Sequence, residues 1–456
     1  MRTELGNCIA SGLKGHLIGI GGVSMSPLAR VLLSMGVEIT GSDINEGPAV
    51  KELRELGVKI YIGHYPENIE GAGFIIRTAA AHDDNPEIKA ARAQGIPVFE
   101  RAEAWGYIMK SYANAVCISG THGKTTTTSM VTHVLMEAGV DPTIMIGGTL
   151  PMLHAGYRIG NGDTIVLESC EYYNSFHNFY PTIAVILNVE EDHLDFFSGL
   201  DEIKESFCKF ASLVPESGVV IANGDDANTM SALENVGKPV ITFGVDNEAN
   251  VKAENIHATT DGSSFDIYYK NEKYAHIVLH VPGIHNVKNA LAACAVAISL
   301  GIEAASVERG LELFSGAERR FQFKGEYNGA KVYDDYAHHP SEIHALIDAV
   351  RSLGYNRVLL AFQPHTYTRT KALFNEFLEE LKRPDKVYVA EIFAAREQNT
   401  IGISSKDLVN ELEGATYCAD LNELKEQLAC EAQEGDIVLT VGAGDIFKVG
   451  EALCKM

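Results

Sequence analysis

The stretch SGTHGKTTTT, Ser119–Thr128, combines two glycines, a lysine and a run of threonines directly after an apolar segment. The general phosphate-loop pattern G-x-x-x-x-G-K-[ST] requires a glycine at the position that Ile118 occupies, and the first glycine comes later, at Gly120. An apolar strand pattern precedes the stretch and a helical pattern follows it, which is the context in which phosphate loops occur. The stretch therefore predicts a shortened nucleotide-binding loop between a strand and a helix. The alternative is a threonine-rich helix start with one solvated lysine.

The residue types of this loop suit the phosphates of a nucleotide. Backbone N–H groups from Thr121 to Thr125 can point into the loop, and Lys124 supplies a cation for the β- and γ-phosphates. The hydroxyl group of Thr125 or Thr126 can coordinate Mg²⁺. The loop therefore predicts a site for ATP with Mg²⁺.

The composition is that of a globular protein with several domains. The chain has 456 residues, of which 46% are hydrophobic and 21% charged, and this length predicts about two to four domains. A net charge of −24 argues against a general nucleic-acid or membrane-surface binder, since both need basic patches. The eight cysteines form no C-x-x-C pair, and no apolar run reaches the length of a membrane span. We therefore expect a cytoplasmic enzyme with reduced thiols that binds neither nucleic acid nor membrane.

Strand patterns alternate with helical patterns along the whole chain, and the alternation restarts at the phosphate-type loop and again near residue 330. This order is typical of an α/β fold in which β-α-β units build parallel sheets. Residues 250–283 differ, because their alternation and turn residues predict an antiparallel excursion. We predict three domains: a Rossmann-like N-terminal domain at 1–112, a central ATP-binding domain of the phosphate-loop type with a mostly parallel sheet at 113–317, and a Rossmann-like C-terminal domain at 318–456.

A second glycine-rich turn lies near the N-terminus, where Gly19, Gly21 and Gly22 fall between a strand and a helix. A G-x-G turn lets the backbone approach a pyrophosphate at the start of the helix, although Ser24 stands where the third glycine of the dinucleotide fingerprint is expected. Asp43 ends the next strand, where a Rossmann unit has the acid that binds a ribose. The pattern leaves open NAD, another nucleotide diphosphate, and a structural turn without a ligand.

Polar residues follow two strand patterns of the central segment. The first strand ends at Glu168, and the second runs into Asn188. The second is followed by a group of acids and a histidine: Glu190, Glu191, Asp192, His193 and Asp195. The carboxyl ends of parallel strands meet at the ligand crevice of such folds, and Mg²⁺ prefers oxygen ligands. The two groups therefore predict a Mg²⁺ site beside the loop.

Taken together, these motifs resemble the Mur ligase family, whose members join an amino acid to a UDP-muramyl precursor of peptidoglycan at the expense of ATP. The resemblance rests on GTHGKTTT, the strand-end Glu168 and N-x-x-x-D-H-L-D from Asn188. It also rests on six motifs in all three segments: GIGGVSM, GIHNVKNALAA, GAERRFQ, DDYAHHPSEI, AFQPHTYTRT and VGAGDI.

The resemblance implies an ATP-dependent acid–amino-acid ligase of peptidoglycan synthesis, and hence of cell-wall biogenesis, cell shape and cell division. Its implied substrates are UDP-N-acetylmuramate and L-alanine, which react through an acyl phosphate; it does not indicate an oligomeric state. One alternative is a muropeptide-recycling ligase that attaches a tripeptide to the same sugar. Two others are an NAD-dependent oxidoreductase and a non-catalytic nucleotide-sensing module.

The resemblance also implies site residues in each predicted domain. The UDP-sugar is assigned to Gly19, Gly21, Gly22, Met25, Asp43 and Thr78. ATP is assigned to Gly120, Thr121, His122, Gly123, Lys124, Thr125, Thr126, His285, Asn286, Asn289, Arg320 and Asp335. Mg²⁺ is assigned to Thr125, Glu168 and His193. The amino acid is assigned to Tyr336, His338, His365 and Arg369. Catalysis is assigned to Lys124, His193 and Arg320. By its residues alone, the stretch 283–289 also fits a helix start with an Asn cap.

Several positions depart from the family pattern. One is the stretch RTAAA at 77–81, which includes Thr78 and stands where the family usually has Ser-Ser-Ala. In ESCEYYNSF, Cys170 and Tyr173 stand where the family has acids, whereas Glu168 and Glu171 remain. In QPHTY, Thr366 replaces an arginine near the carboxylate of the amino acid. These departures leave the ATP site intact and leave open whether L-Ala, Gly or Ser is preferred.

Overall fold

The computed structural model describes residues 4–194, 196–259, 262–395 and 397–456. Asp195, one of the acids proposed from the sequence, lies outside these ranges. Three β-sheets follow one another along the chain, and helices connect their strands. The predicted α/β class is therefore confirmed.

The first sheet is entirely parallel. Its strands are β1 (Gly15–Ile18), β2 (Ile39–Asp43), β3 (Lys59–Ile62), β4 (Phe74–Arg77) and β5 (Val98–Glu100). Its helices are α1 (Leu5–Ala10), α2 (Met25–Ser34), α3 (Pro48–Glu55), α4 (Pro86–Ala93) and α5 (Arg101–Met109), with a 3₁₀ turn at Pro66–Ile69. The strand order is 3-2-1-4-5, so the turn after β1 lies at the point where the order reverses. Ligands of open α/β sheets bind at such a point.

The central sheet has ten strands. They are β6 (Asn114–Ser119), β7 (Thr143–Leu150), β8 (Ala155–Arg158), β9 (Thr164–Glu168), β10 (Ile183–Ile186), β11 (Val219–Asn223), β12 (Val240–Gly244), β13 (Val251–Thr259), β14 (Gly262–Tyr269) and β15 (Glu272–Leu279). Its helices are α6 (Lys124–Glu137), α7 (Leu200–Ser212), α8 (Ala227–Leu233), α9 (Ile284–Ser299) and α10 (Ala304–Glu312), with 3₁₀ turns at Pro151–Leu153 and Tyr172–Asn178.

The order of the central strands is 15-14-13-12-11-10-6-9-7-8. Strand β6 lies between β10 and β9, with parallel pairing to both, so the loop after β6 lies among the carboxyl ends of its neighbours. Strands β13, β14 and β15 pair in antiparallel fashion, which confirms the excursion predicted from the sequence.

The third sheet has six strands. They are β16 (Gln322–Tyr327), β17 (Ala330–Asp335), β18 (Val358–Phe362), β19 (Lys386–Ala390), β20 (Thr416–Cys418) and β21 (Ile437–Val441). Its helices are α11 (Pro340–Arg351), α12 (Tyr367–Ala372), α13 (Phe374–Leu381), α14 (Ser405–Asn410), α15 (Leu421–Glu431) and α16 (Phe447–Leu453). The order is 16-17-21-18-19-20, and only the pair of β16 and β17 is antiparallel among these strands.

One cluster of the hydrophobic core packs the first two sheets together, whereas the third sheet has core clusters of its own. One continuous cluster of buried apolar side chains extends from the first sheet through Trp105 on α5 to Phe176 and Phe207 of the central part. The buried residues of the two clusters around the third sheet all lie within 330–453. The N-terminal and central parts are therefore joined by apolar packing.

The three sheets span residues 15–100, 114–279 and 322–441. The predicted limits at residues 112 and 317 fall between the sheets, and as domain boundaries they stay a prediction. Among the described residues, no helix combines the length and the apolarity needed to cross a membrane.

Candidate active site

The phosphate-type loop connects β6 to α6 at the middle of the central sheet. Gly120 and Gly123 have φ angles of 139° and 82°, a region that favours glycine. A Cβ atom on Gly123 would lie 2.6 Å from Oδ1 of Asn289, and one on Gly120 would lie 2.9 Å from Cβ of Leu187. Backbone conformation and close packing therefore both require glycine at these two positions.

Asn188, just after β10, holds the first half of the loop. The N–H group of Thr121 donates to its carbonyl oxygen (3.1 Å), and the N–H group of His122 donates to its Oδ1 atom (2.7 Å). The prediction that the N–H groups from Thr121 to Thr125 can point into the loop is therefore wrong for the first two. The reason is that a neighbouring strand end offers them buried acceptors. The later N–H groups lie at the N-terminus of α6, where the helix dipole favours phosphate.

Lys124 folds back onto its own loop. Its Nζ atom donates to the carbonyl oxygens of Gly120 and Thr121 and lies 3.3 Å from Oε2 of Glu171. Burial alone would lower the pKa of Lys124, but the charge of Glu171 and its acidic neighbours raises it above the usual value. Lys124 is therefore a cation at neutral pH.

The residues predicted to bind Mg²⁺ line one cavity of 400 Å³. The hydroxyl group of Thr125 donates to Oε2 of Glu168 (3.0 Å), which also accepts the N–H group of Gly147 (2.8 Å). His193 lines the same cavity. Hydroxyl and carboxylate oxygens are hard donors of the kind that Mg²⁺ prefers, so Thr125 and Glu168 fit this ion, whereas the imidazole nitrogen of His193 is a softer donor than Mg²⁺ usually takes.

The other acids of the second cluster face cations. Oε2 of Glu190 lies 3.4 Å from Nε2 of His122, and Oδ1 of Asp192 accepts from Nε (3.1 Å) and Nη2 (2.9 Å) of Arg369. Burial alone would raise the pKa of Asp192, but the Arg369 guanidinium holds it well below its usual range. Glu191 is exposed. The carboxylates of Glu190 and Asp192 therefore serve ion pairs that connect to neighbouring elements of the site.

Sequence reasoning missed Glu342, a carboxylate that is 11% exposed and links the central and C-terminal parts. Its Oε1 atom lies 3.1 Å from Nδ1 of His122 and 3.9 Å from Nη1 of Arg320. Its Oε2 atom accepts the N–H group of His338 (2.8 Å). Burial alone would raise the pKa of Glu342, but these cations hold it well below its usual value. The H-P-S-E capping box that begins at His339 was the signal that could have identified it.

A second cavity, of 240 Å³, adjoins the loop. The residues predicted to bind ATP that line it are His122, Gly123, Thr126, His285, Asn286, Asn289, Arg320 and Asp335. Apolar side chains such as Leu187, Phe243 and Phe314 line it as well. Burial raises the pKa of Asp335 to about 6, although its carboxylate accepts two backbone N–H groups. The mixture of apolar walls and a few polar groups suits a nucleoside.

The two asparagines of this cavity do not cap α9. The cap residue is Gly283, with φ of 98°, and Asn286 lies inside the first turn. The side-chain amide of Asn286 donates to the carbonyl oxygen of Pro282 (2.7 Å), and Oδ1 of Asn289 accepts from the hydroxyl group of Thr127 (3.2 Å). The Asn-cap interpretation is therefore wrong, because a glycine ends the loop and both amides bind neighbouring segments.

The residues predicted to bind the amino acid lie together at the ends of β17 and β18. Nη1 of Arg369 lies 3.2 Å from Nδ1 of His365, whose ring centre is 5.9 Å from that of His338. The Arg320 guanidinium lies 5.2 Å from the centre of the Tyr336 ring. Burial lowers the pKa of His338 to about 4 and that of His365 to about 3. Both imidazoles are therefore neutral at neutral pH.

The residues predicted to bind the UDP-sugar lie around the turn after β1. The N–H group of Gly21 donates to Oδ2 of Asp43 (2.8 Å), and a Cβ atom on Gly19 would lie 2.7 Å from Cγ2 of Thr78. Met25 is buried at the start of α2. The group predicted to bind the UDP-sugar also includes Gly22. None of the group lines the two cavities around the phosphate-type loop.

Family models match all three parts of the chain. The Mur ligase family catalytic domain matches residues 14–113, the Mur ligase middle domain residues 118–297, and the Mur ligase glutamate ligase domain residues 319–444. The chain belongs to the Mur ligase family. The resemblance found in the sequence is thereby confirmed, and the family argues against the NAD-dependent oxidoreductase interpretation of the first glycine turn.

This Mur ligase is similar to proteins whose names state an activity. It is 45% identical over 441 residues to the UDP-N-acetylmuramate--L-alanine ligase of Caldanaerobacter subterraneus subsp. tengcongensis, with 96% of each chain covered. It is 46% identical over 446 residues to the UDP-N-acetylmuramate--L-alanine ligase of Acetivibrio thermocellus, covering 96% of this chain and 95% of the relative.

Solved structures show the same architecture. The UDP-N-acetylmuramate-alanine ligase of Thermotoga maritima matches with a TM-score of 0.79 and 31% identity, over 97% of this chain and 98% of that one. A murein peptide ligase from Psychrobacter arcticus matches with a TM-score of 0.70 over 97% and 98% of the two chains. Its identity is 23%, so that likeness concerns the fold.

Proposed function

We propose that this Mur ligase uses ATP to join L-alanine to the carboxylate of UDP-N-acetylmuramate in the synthesis of peptidoglycan precursors. The names of its relatives supply the two substrates. The observation that carries the proposal is the cavity of 400 Å³ between the central and C-terminal parts. Its lining combines residues predicted for the phosphates, the metal and the amino acid: Lys124, Thr125, Glu168, His193, Arg320, Tyr336 and His338.

The reaction needs ATP because a carboxylate does not condense with an amine directly in water. In the first step, a carboxylate oxygen of the sugar attacks the γ-phosphorus, the bond to the bridging oxygen breaks, and ADP leaves. In the second step, the amine nitrogen attacks the acyl carbon, the bond to the phosphate oxygen breaks, and inorganic phosphate and a proton leave. Positioning and charge neutralisation therefore supply most of the acceleration.

Two cations of the chain are suited to the first step. We assign Lys124 and Arg320 to the negative charge of the transferring phosphoryl group. Lys124 must first release the loop carbonyl groups that it contacts in the nucleotide-free chain. Thr125, Glu168 and His193 would hold Mg²⁺, which neutralises phosphate charge when it is bound.

Arg369 is suited to the carboxylate of the amino acid. Its Nε and Nη2 atoms bind Asp192, whereas Nη1 faces His365. A guanidinium fixed on one side in this way presents its remaining N–H groups in a defined direction. Thr366 follows His365 and has no cationic group, so Arg369 carries this contact without the second arginine of the family pattern.

Exclusion of water matters because an acyl phosphate hydrolyses. The C-terminal part contacts the segment after β10, beside the loop, through bonds such as that of the Nε2 atom of His339 with the carbonyl oxygen of Glu191 (3.0 Å). We assign these contacts to the closed state in which the acyl phosphate forms. Since ATP and UDP-sugars are metabolites of the cytoplasm, we also propose that location for the enzyme.

The test is amino-acid-dependent ADP release with UDP-N-acetylmuramate and, in separate reactions, L-Ala, Gly and L-Ser. We expect the highest kcat/KM with L-Ala. If none of the three supports turnover with this sugar, the proposal is wrong. Turnover with a tripeptide in place of the amino acid supports the recycling ligase. Binding of ATP without any turnover supports the nucleotide-sensing module.

A further inference from the structure

The side chains at the end of β9 and just after it contact two different sets of residues. Glu168 binds Thr125 and Gly147 through one carboxylate oxygen, on the side of the phosphate-type loop. Cys170 and Glu171 follow closely in sequence and lie beside His193 instead. A thiol sulfur, a carboxylate oxygen and an imidazole nitrogen of these three residues all lie within 4.8 Å of one another.

The carboxylate of Glu171 supplies an independent indication of a ligand. Its side chain is 3% exposed, and its Oε2 atom lies 3.3 Å from Nζ of Lys124. Its Oε1 atom is buried and has no hydrogen-bond partner among the described residues, and it lies 3.8 Å from Nε2 of His193. A buried carboxylate oxygen without a partner costs free energy. A cation between Glu171 and His193 would remove this cost.

We propose that Cys170, Glu171 and His193 form a binding site for a thiophilic divalent cation of the Zn²⁺ class. Zn²⁺ binds thiolate sulfur at about 2.3 Å and imidazole nitrogen or carboxylate oxygen at about 2.0–2.2 Å, usually in a tetrahedron. Such a tetrahedron separates its ligand atoms by about 3.4–3.6 Å. The 3.8 Å between Glu171 and His193 is within a few tenths of an ångström of this value.

The site is reachable and has an open position. Cys170 and His193 both line the cavity of 400 Å³, from which a hydrated ion can enter and a water molecule can complete the tetrahedron. Binding replaces the proton on the Cys170 sulfur by the metal and releases that proton to solvent. Nitrogen and sulfur donors favour Zn²⁺ over Mg²⁺, which prefers oxygen.

Occupation of this site has a consequence for the reaction that rests on the proposed function. His193 is one of the residues assigned to Mg²⁺ and also one of the three residues proposed to bind Zn²⁺, and it cannot serve both ions. Zn²⁺ bound to Cys170, Glu171 and His193 also brings positive charge close to Lys124. We therefore expect Zn²⁺ to inhibit the ligase in competition with Mg²⁺.

The first experiment measures binding directly, with the full nucleotide-free chain and Co²⁺ as the probe. The wild-type protein should bind one Co²⁺ with a thiolate-to-cobalt charge-transfer band. Cys170→Ser should lose this band. Cys208→Ser is the matched control, because Cys208 lies on α7 and does not line the cavity, and it should keep the band. Absence of the band in the wild-type protein, or its persistence in Cys170→Ser, overturns the proposal.

A second measurement does not depend on the folding of the variant. X-ray absorption at the zinc edge of the wild-type protein with one equivalent of Zn²⁺ should show a sulfur ligand at about 2.3 Å. A spectrum with only oxygen and nitrogen ligands overturns the proposal.

Measurements of Zn²⁺ affinity and of Zn²⁺ inhibition then test the metal site independently of the proposed function. Loss of a partner outside the ligand shell already weakens metal binding by about 10–100-fold, so Cys170→Ser should weaken Zn²⁺ binding by at least about 100-fold. Zn²⁺ should inhibit turnover of the wild-type enzyme at concentrations that Cys170→Ser tolerates. If the protein shows the cobalt band but no ligase turnover, the metal site is supported and the proposed function is wrong.

Discussion

Replacement of Glu342 by glutamine should lower the pKa of His122 and loosen the C-terminal part from the phosphate-type loop. In the structure, Nδ1 of His122 lies 3.1 Å from Oε1 of Glu342, and Nε2 lies 3.4 Å from Oε2 of Glu190 and 2.9 Å from the hydroxyl oxygen of Ser341. The ring centre of His339 lies 4.9 Å away. His122 therefore bridges two carboxylates, one from each side of the interface.

The magnitude follows from the pKa of His122. Burial alone would lower this pKa, but the charges of Glu342 and Glu190 raise it from 6.5 to about 10. At about 1.36 kcal/mol per pKa unit, this shift corresponds to roughly 5 kcal/mol as an upper bound. Loss of one nearby carboxylate should lower the pKa by about 1–3 units, which corresponds to roughly 1.4–4 kcal/mol.

The sign of the pH dependence follows from the direction of the shift. Because the pKa is raised in the folded protein, the stabilising contribution is fully present below pH 6.5 and is lost as the pH rises towards about 10. In Glu342→Gln the loss should occur at lower pH. Between these two ranges, the wild-type interface should remain closed while that of the variant weakens.

The assay is an NMR titration of ¹⁵N-labelled histidine in the wild-type protein and in Glu342→Gln, with His122→Gln to assign the signal. Small-angle scattering across the same pH range measures domain closure. Glu379→Gln is the control, because Glu379 is exposed on α13 and its replacement changes the charge of the C-terminal part by the same amount. A wild-type His122 that titrates near 6.5, or the same pKa in both proteins, would refute the reasoning.

Three further substitutions test the site. Lys124→Ala should lower kcat by about 10²–10³-fold, measured as ADP release, because a preorganised cation at the transferring group is lost. Asp192→Asn should destabilise the closed protein by about 3–5 kcal/mol, because both side chains are at most 11% exposed and the guanidinium loses its partner. A double-mutant cycle with Arg369 then measures how much of this loss comes from the pair. Gly123→Ala should weaken ATP binding measured by calorimetry, because its φ of 82° is strained for alanine and the new Cβ would lie 2.6 Å from Asn289.

The parts of the site that the sequence predicted are those formed by neighbours in the chain. The loop between β6 and α6 requires a strand, two glycines and a helix start within one short stretch, and each has a local signature. The turn after β1 and Asp43 at the end of β2 belong to a single β-α-β unit, so their spacing alone predicts that they meet. Residue types and spacing suffice in such cases because the chain connectivity fixes the geometry.

The parts that the sequence could not predict depend on how the domains dock. His122 meets Glu342, and Asp192 meets Arg369, across separations that no periodicity or turn signal spans. Asn188 takes two N–H groups of the loop because the end of β10 lies beside it, and the neighbour of β6 in the sheet cannot be read from either strand. Such pairings follow from tertiary contacts rather than from local propensity.

The kinds of contact at the two domain junctions differ in a way that suits the proposed reaction. The N-terminal and central parts share a continuous apolar cluster, and exposing apolar surface costs about 25 cal/mol per Å². The contacts that join the C-terminal part to the site include hydrogen bonds and ion pairs, such as those of His339 with Glu191 and of Arg369 with Asp192, for which water can substitute when they separate. We therefore expect the C-terminal part, rather than the N-terminal part, to open for substrates and close for chemistry. Because Arg369 is both an interface residue and the proposed anchor of the amino acid, we expect binding of that substrate to be coupled to closure.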